Sequence, residues 1–156
     1  MGKAAGITVI GEAMLELSRA SAASGPEDGW NLRYGGDVIN TAIHLARSGD
    51  PVRFASAIGA DPMSADLRAS WEGEGIDPSL LLAAEGCLPG LYAIETDAQG
   101  ERSFHYGRGE AAARRMFDLP GSAAMAERAA ESALLYFSLI TLAILPDAAR
   151  EKLLAL

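Results

Sequence analysis

Short apolar, β-branched runs alternate with amphipathic helical stretches through the first half of the chain. That alternation constrains the fold more than any other feature. Ile7-Thr8-Val9-Ile10, between Gly6 and Gly11, reads as a buried strand. Met14-Leu15-Glu16-Leu17 reads as a second short strand, residues 18–29 as a Ser/Gly/Pro/Asp-rich surface loop, and Trp30–Tyr34 as an edge strand. Val38, Ile39, Ala42, Ile43, Leu45 and Ala46 form one apolar helical face, stopped by Gly49 and Pro51. Val52–Gly59 is the next strand. A helix opens at Asp61 and Ser64 and runs to about Gly73, with Leu67 and Trp71 on one face. Gly75-Ile76-Asp77-Pro78 breaks it before a short strand at Leu80-Leu81-Leu82. Strand, helix, strand, helix, strand is the signature of a parallel sheet with helical crossovers.

Composition bounds what such a domain can do. The chain has 156 residues, 49% of them hydrophobic, enough for one compact domain with a core. No apolar run is long enough to span a bilayer, and no secretory leader is evident, so a cytoplasmic protein without a membrane partner is expected. The formal net charge of -8 argues against nucleic acid as a partner, because phosphate backbones are bound by basic patches. An anionic ligand would need local arginines against this field. The single cysteine, Cys87, excludes an internal disulfide, and two histidines far apart in sequence argue against a zinc site.

Two stretches carry candidate chemistry. The first is Tyr34-Gly35-Gly36-Asp37-Val38-Ile39-Asn40-Thr41-Ala42. Its glycines let the backbone approach another group closely, and Asp37 suits the cap of the next helix. Asn40 falls in the first helical turn, where its amide can both donate to and accept from a polyhydroxy ligand. A plain loop-to-helix junction with an Asp cap accounts for the same residues.

The second is a hairpin, Leu91–Thr96 and Arg102–Tyr106 around Asp97-Ala98-Gln99-Gly100-Glu101. Gly100 suits the left-handed position of a three-residue loop, which pairs Asp97 with Glu101 and hence Tyr92 with Tyr106. Strand alternation then places Tyr92, Ile94, Thr96, Arg102, Phe104, Tyr106 and Arg108 on one face. Phenol rings can stack on a sugar-like molecule, and Arg108 can hold a carboxylate with two hydrogen bonds. A half-buried sheet face with arginines lying over it fits equally. Beyond the hairpin, Ala111–Phe117 reads as a short helix, 122–133 as a helix, Ala133–Ile140 as a buried strand, and Pro146 as the start of a last helix. Leu153, Leu154 and Leu156 suggest the apolar face of that helix.

Taken together and in order, several pieces resemble the ribokinase-like (PfkB) carbohydrate kinases, and within them the branch acting on 2-keto-3-deoxygluconate. They are Ile10-Gly11-Glu12-Ala13-Met14-Leu15-Glu16-Leu17, Gly35-Gly36-Asp37 with Asn40-Thr41-Ala42, Ala57-Ile58-Gly59-Ala60-Asp61-Pro62, Glu74-Gly75-Ile76-Asp77, Leu88-Pro89-Gly90-Leu91-Tyr92, Gly100–Tyr106 with Arg108, and Ala111–Arg115. The resemblance implies a three-layer α/β/α sandwich with a small β lid built from about 12–34 and 90–108. It implies transfer of the ATP γ-phosphoryl group, with Mg2+, to a sugar-acid hydroxyl, giving 2-keto-3-deoxy-6-phosphogluconate. It makes Gly35, Gly36, Asp37, Asn40, Tyr92, Tyr106 and Arg108 substrate-binding. It also implies pairing of copies through the lid.

His105 and Gly107 depart from the family pattern, where relatives carry aromatics. The family's Gly-Ala-Gly-Asp-type motif, with its general base and ATP pocket, has no counterpart in these residues. Gly59-Ala60-Asp61-Pro62 matches an N-terminal motif instead, and no Walker-type glycine-lysine loop is present. No catalytic residue and no metal ligand is therefore assigned. The expected role is the N-terminal, sugar-binding half of a kinase. An inactive sugar-acid-binding or dimerising module, and fructose or ribose as the sugar, stay open.

Overall fold

The computed structural model describes residues 6–19 and 29–156. Four parallel strands form the central sheet in the order β5-β4-β1-β8: β1 (Ile7–Ile10), β4 (Val52–Gly59), β5 (Asp77–Ala84) and β8 (Leu134–Tyr136). Parallel strands are joined by crossovers that place helices on both faces, and that happens here. Helices α1 (Asp37–Arg47) and α2 (Pro62–Gly73) cover one face through Val38, Ile39, Ala42, Leu67 and Trp71. Helices α3 (Ser122–Ala130), α4 (Leu139–Ile144) and α5 (Asp147–Leu154) cover the other through Met125, Ala129, Ile144, Ala149 and Leu153. The result is the three-layer α/β/α arrangement that the family resemblance implied. Trp71 anchors the first core, edge-on to Phe54 at 5.5 Å and to Tyr34 at 6.4 Å between ring centres.

A second four-stranded sheet stands against this sandwich in the order β3-β2-β6-β7: β2 (Met14–Arg19), β3 (Trp30–Gly35), β6 (Gly90–Thr96) and β7 (Arg102–Gly107). β3 is an edge strand, as its alternation predicted. The hairpin register agrees with the three-residue loop. Tyr92 lies opposite Tyr106, Ile94 opposite Phe104 and Thr96 opposite Arg102. The Asp97 N–H donates to the Glu101 carbonyl at 2.9 Å, and Gly100 takes the left-handed conformation at φ 88°.

Several local expectations need correction. The predicted loop 18–29 starts too early, since β2 continues to Arg19; residues 20–28 lie outside the described residues. Asp37 is the first residue of α1 rather than its cap. Gly36 holds the cap position, and among the described residues the Asp37 carboxylate accepts the Val38 N–H, its own neighbour, at 2.8 Å. The strand predicted at Leu80–Leu82 runs over all of Asp77–Ala84 and includes Pro78. Proline is tolerated there because β5 is an edge strand whose register shifts at that point. Ala111–Phe117 contains only a 3₁₀ turn at Ala112–Arg115, and the helix predicted over 122–133 ends at Ala130. The strand predicted over Ala133–Ile140 stops at Tyr136. Ser138 then caps α4 by accepting the Thr141 N–H at 3.3 Å. In α5 Leu153 is buried, but Leu154 is exposed, so the apolar face is narrower than expected.

Candidate functional site

In an open parallel sheet, ligands favour the carboxyl ends of strands where the strand order reverses. Here the order runs outward from β1 to β4 on one side and to β8 on the other. Gly11 and Glu12 leave β1 at that point, buried between the two sheets. A cleft of about 220 Å³ opens beside them. It is lined by Glu12 and Met14, by Gly36, Asp37 and Asn40 at the start of α1, by Tyr92, Phe104, Tyr106 and Arg108 from the hairpin, and by Ile140 of α4.

Of the residues predicted from sequence, Gly36, Asp37, Asn40, Tyr92, Tyr106 and Arg108 therefore meet at one cleft. Gly35 does not line it. It lies beneath Tyr92, and a Cβ on Gly35 would fall 2.3 Å from the Tyr92 hydroxyl. Asp37 and Asn40 stand at the cleft mouth on the first turn of α1, exposed.

The hairpin supplies an aromatic wall. The rings of Tyr92, Phe104 and Tyr106 are mutual neighbours, with centres 6.1–6.3 Å apart, and Phe104 and Tyr106 are nearly parallel at 15°. Phe104 and Tyr106 remain exposed although they face the cleft. The Tyr92 hydroxyl donates to the Glu16 carboxylate. Burial, first, and that bond, second, push the phenol far above its ordinary value, so Tyr92 stays neutral and acts as a fixed dipole. The Arg108 guanidinium lies 5.8 Å from the Tyr106 ring centre, within cation–π range.

Arg108 is bound by a residue that sequence reasoning did not select. Its Nη2 donates to Oε2 of Glu12, whose side chain is only 2% exposed. Burial raises the Glu12 carboxyl above its ordinary value, although Arg108 and Arg114 pull it down. The pair is incompletely satisfied: Glu12 Oε1 and Arg108 Nε are buried without a hydrogen-bond partner. Glu12 lies within the first stretch that resembles the family, but beyond that its sequence signal is an acid two residues after a buried strand. Met14 belongs to a strand that the sequence reveals without assigning it to the site. Phe104 falls on the right face by alternation, yet nothing in the sequence singles it out for the site. Ile140 has no usable signal, because its helix reads as a strand.

The chemistry on offer is binding and orientation: one cation for an acid group, an amide and a carboxylate for hydroxyls, and ring faces for a carbon skeleton. Among the described residues no cluster of His, Cys, Asp or Glu could hold a metal ion, and no helix is long and apolar enough to cross a membrane.

Several proteins similar to this chain carry sugar-kinase names. The chain is 45% identical over 156 residues to the 2-dehydro-3-deoxygluconokinase of Escherichia coli K12, matching 96% of this chain and 48% of that protein. It is 41% identical to the Dickeya dadantii enzyme of the same name, over 95% of this chain and 47% of that protein. A crystal structure of a PfkB protein from Polaromonas sp. JS666 superposes with a TM-score of 0.78 at 26% identity, covering 96% of this chain and 51% of that one. The 2-dehydro-3-deoxygluconokinase of Thermotoga maritima superposes at 0.79, with 21% identity, over 96% of this chain and 47% of that one. The chain thus spans about half the length of the curated relatives it matches. The family described as pfkB family carbohydrate kinase matches residues 4–156, and the chain belongs to that family.

Proposed function

We propose that this chain supplies the sugar-acid-binding side of an ATP-dependent 2-keto-3-deoxygluconate kinase, with the second sheet acting as a lid. The observation that carries this reading is the meeting of Arg108 with exposed Tyr106 and Phe104 across the cleft from Asp37 and Asn40. Aromatic faces left exposed toward a cleft are costly unless a ligand covers them. Arg108 takes the substrate carboxylate. Asn40 and Asp37 take hydroxyls, as donor and acceptor. The carbon chain lies on Tyr106 and Phe104. These contacts fix the acid end and leave the far hydroxyl free to receive a phosphoryl group, giving 2-keto-3-deoxy-6-phosphogluconate. Fructose and ribose fit less well, since neither gives Arg108 an anionic partner.

In the whole protein ATP and Mg2+ supply the phosphoryl group and neutralise its charge. The residues of this chain do not fit that pair: the described residues hold no glycine-rich phosphate cradle and no carboxylate cluster. No step through the nucleotide is therefore derived from this chain, and the chain alone is expected to show no phosphoryl transfer. Pairing of copies through the lid sheet belongs to the same reading, on the exposed Trp30 and Leu32 of its outer face.

Titration calorimetry of 2-keto-3-deoxygluconate into the folded chain tests the proposal. Binding is expected, weakened about ten- to hundredfold by Arg108→Ala, the effect of losing charged hydrogen bonds. A folded chain that releases no heat refutes the sugar-acid reading. Turnover of ATP by the chain alone refutes the assignment of half a catalytic unit.

A further inference from the structure

We propose that Glu12 is the resident counter-ion of Arg108, and that a carboxylate ligand displaces it while Glu12 takes up one proton from solvent. The inference rests on the sugar-acid reading of the cleft and adds to it a proton linkage.

The geometry starts with an imperfect pair. Glu12 leaves β1 into the interior, and Arg108 comes directly after β7 on the opposite wall. They share a single hydrogen bond, Nη2 to Oε2. A guanidinium and a carboxylate can make two parallel bonds, and this pair makes one. Oε1 and Nε are buried with nothing to bond. The interior therefore holds a charge pair that is balanced but poorly satisfied, an arrangement whose desolvation cost is only partly repaid. A ligand carboxylate that engages Arg108 in the two-pronged mode satisfies the arginine better than Glu12 does.

Charge counting decides the fate of Glu12. The groups acting on it are Arg108, Arg114 on the 3₁₀ turn, and Asp37 on α1. The remaining titratable groups on the cleft walls are Tyr92, bonded to Glu16, and Tyr106; α4 presents only Ile140. With Glu16 counted, two cations face three carboxylates, so the empty site already leans negative. A bound carboxylate adds one more negative charge in a volume of about 220 Å³. Two carboxylates competing for one guanidinium in a buried site do not both stay ionised. Glu12 is the one that yields. Burial already disfavours its charge, whereas Asp37 at the exposed cleft mouth keeps its water. Oε1 has no partner and is open to the proton. No covalent bond between heavy atoms changes: one proton leaves the buffer and is held on the Glu12 carboxyl.

Calorimetry in two buffers of different ionisation enthalpy, phosphate and Tris at pH 7, reads the proton directly. The wild-type chain with 2-keto-3-deoxygluconate is expected to take up close to one proton per ligand, and its affinity to fall about tenfold per pH unit raised. The uncharged methyl ester of the same ligand is expected to bind with no buffer-dependent heat. Glu12→Gln is expected to abolish the buffer dependence; should that variant not fold, the acid-versus-ester comparison on the wild-type chain carries the test. Binding of the acid with equal heats in both buffers overturns the linkage and leaves the sugar-acid reading standing. Equal proton uptake with acid and ester also overturns it. Absence of any binding overturns both.

Discussion

Gly36 serves two purposes with one missing atom. Its φ of 133° lies where side chains are strained, and a Cβ there would sit 3.0 Å from the Glu12 carbonyl oxygen and 3.4 Å from Ile39 Cγ2. The first neighbour is backbone and cannot swing away. Gly36→Ala should therefore cost more than about 1 kcal/mol and move Glu12 relative to Arg108. Urea unfolding of the variant checks this; an unchanged midpoint would contradict it. At this scale the sequence is readable where a local rule fixes geometry. Loop length and strand alternation are enough to put Tyr92, Tyr106 and Arg108 on one face. Glu12 is not readable, because its partner Arg108 lies 96 residues away and only the folded chain joins them. Gly35 reads as a site residue for its bare backbone, and the space it leaves is taken by Tyr92 instead.

Helix α2 shows how an element carries its own start signal. Asp61 accepts the Ser64 N–H at 3.1 Å and its hydroxyl at 2.6 Å, with Pro62 in the first turn. The Ser64 hydroxyl bond chiefly holds the Asp61 carboxyl below its ordinary value of 3.8. A carboxyl lowered by folding stabilises above its unfolded pKa, and that contribution disappears as pH falls through the lower folded value. Asp61→Ala should thus cost about 1 kcal/mol at neutral pH. The gap to wild type should close below about pH 3.8. Paired thermal melts across that range check it, and a gap independent of pH would rule out the cap. Elements with such local signals, α2 and the hairpin turn among them, are legible. Helix α4 is not. Leu139-Ile140-Thr141-Leu142 is an apolar run too short for periodicity to separate strand from helix, and only the Ser138 cap distinguishes them. Strand β5 reads too short because Pro78 looks like a stop, while its edge position lets the proline stay.

Across the whole molecule, the buried core and the aromatic wall of the candidate cleft belong to different sheets. β1 and β4 run through the middle of the parallel sheet, with side chains packed into both cores. β7 is the opposite case. Every residue of β7 is exposed, and β6 is its only strand neighbour among the described residues. Strands with few buried contacts open locally, at far less cost than global unfolding. Hydrogen exchange on the free chain should therefore show β7 amides bonded to β6 exchanging orders of magnitude faster than those of β1 and β4. The parallel α/β half of this contrast is legible from strand and helix alternation. The exposure of β7 is not, because it depends on which elements fail to cover the hairpin. A sugar acid that bridges Tyr106 and Arg108 to Asp37 and Asn40 would tie β7 to the helix-covered layer. Since such a ligand binds only the closed arrangement, exchange from β7 should slow by roughly the factor 1 + [L]/Kd, about a hundredfold at a hundred times Kd. Exchange from β1 and β4 reports global unfolding and should slow by the same factor from a much lower starting rate. If β7 amides are already as protected as those of β1 in the free chain, the division of labour between the sheets is wrong. If they are labile and the ligand leaves them so, the lid sheet does not close on it.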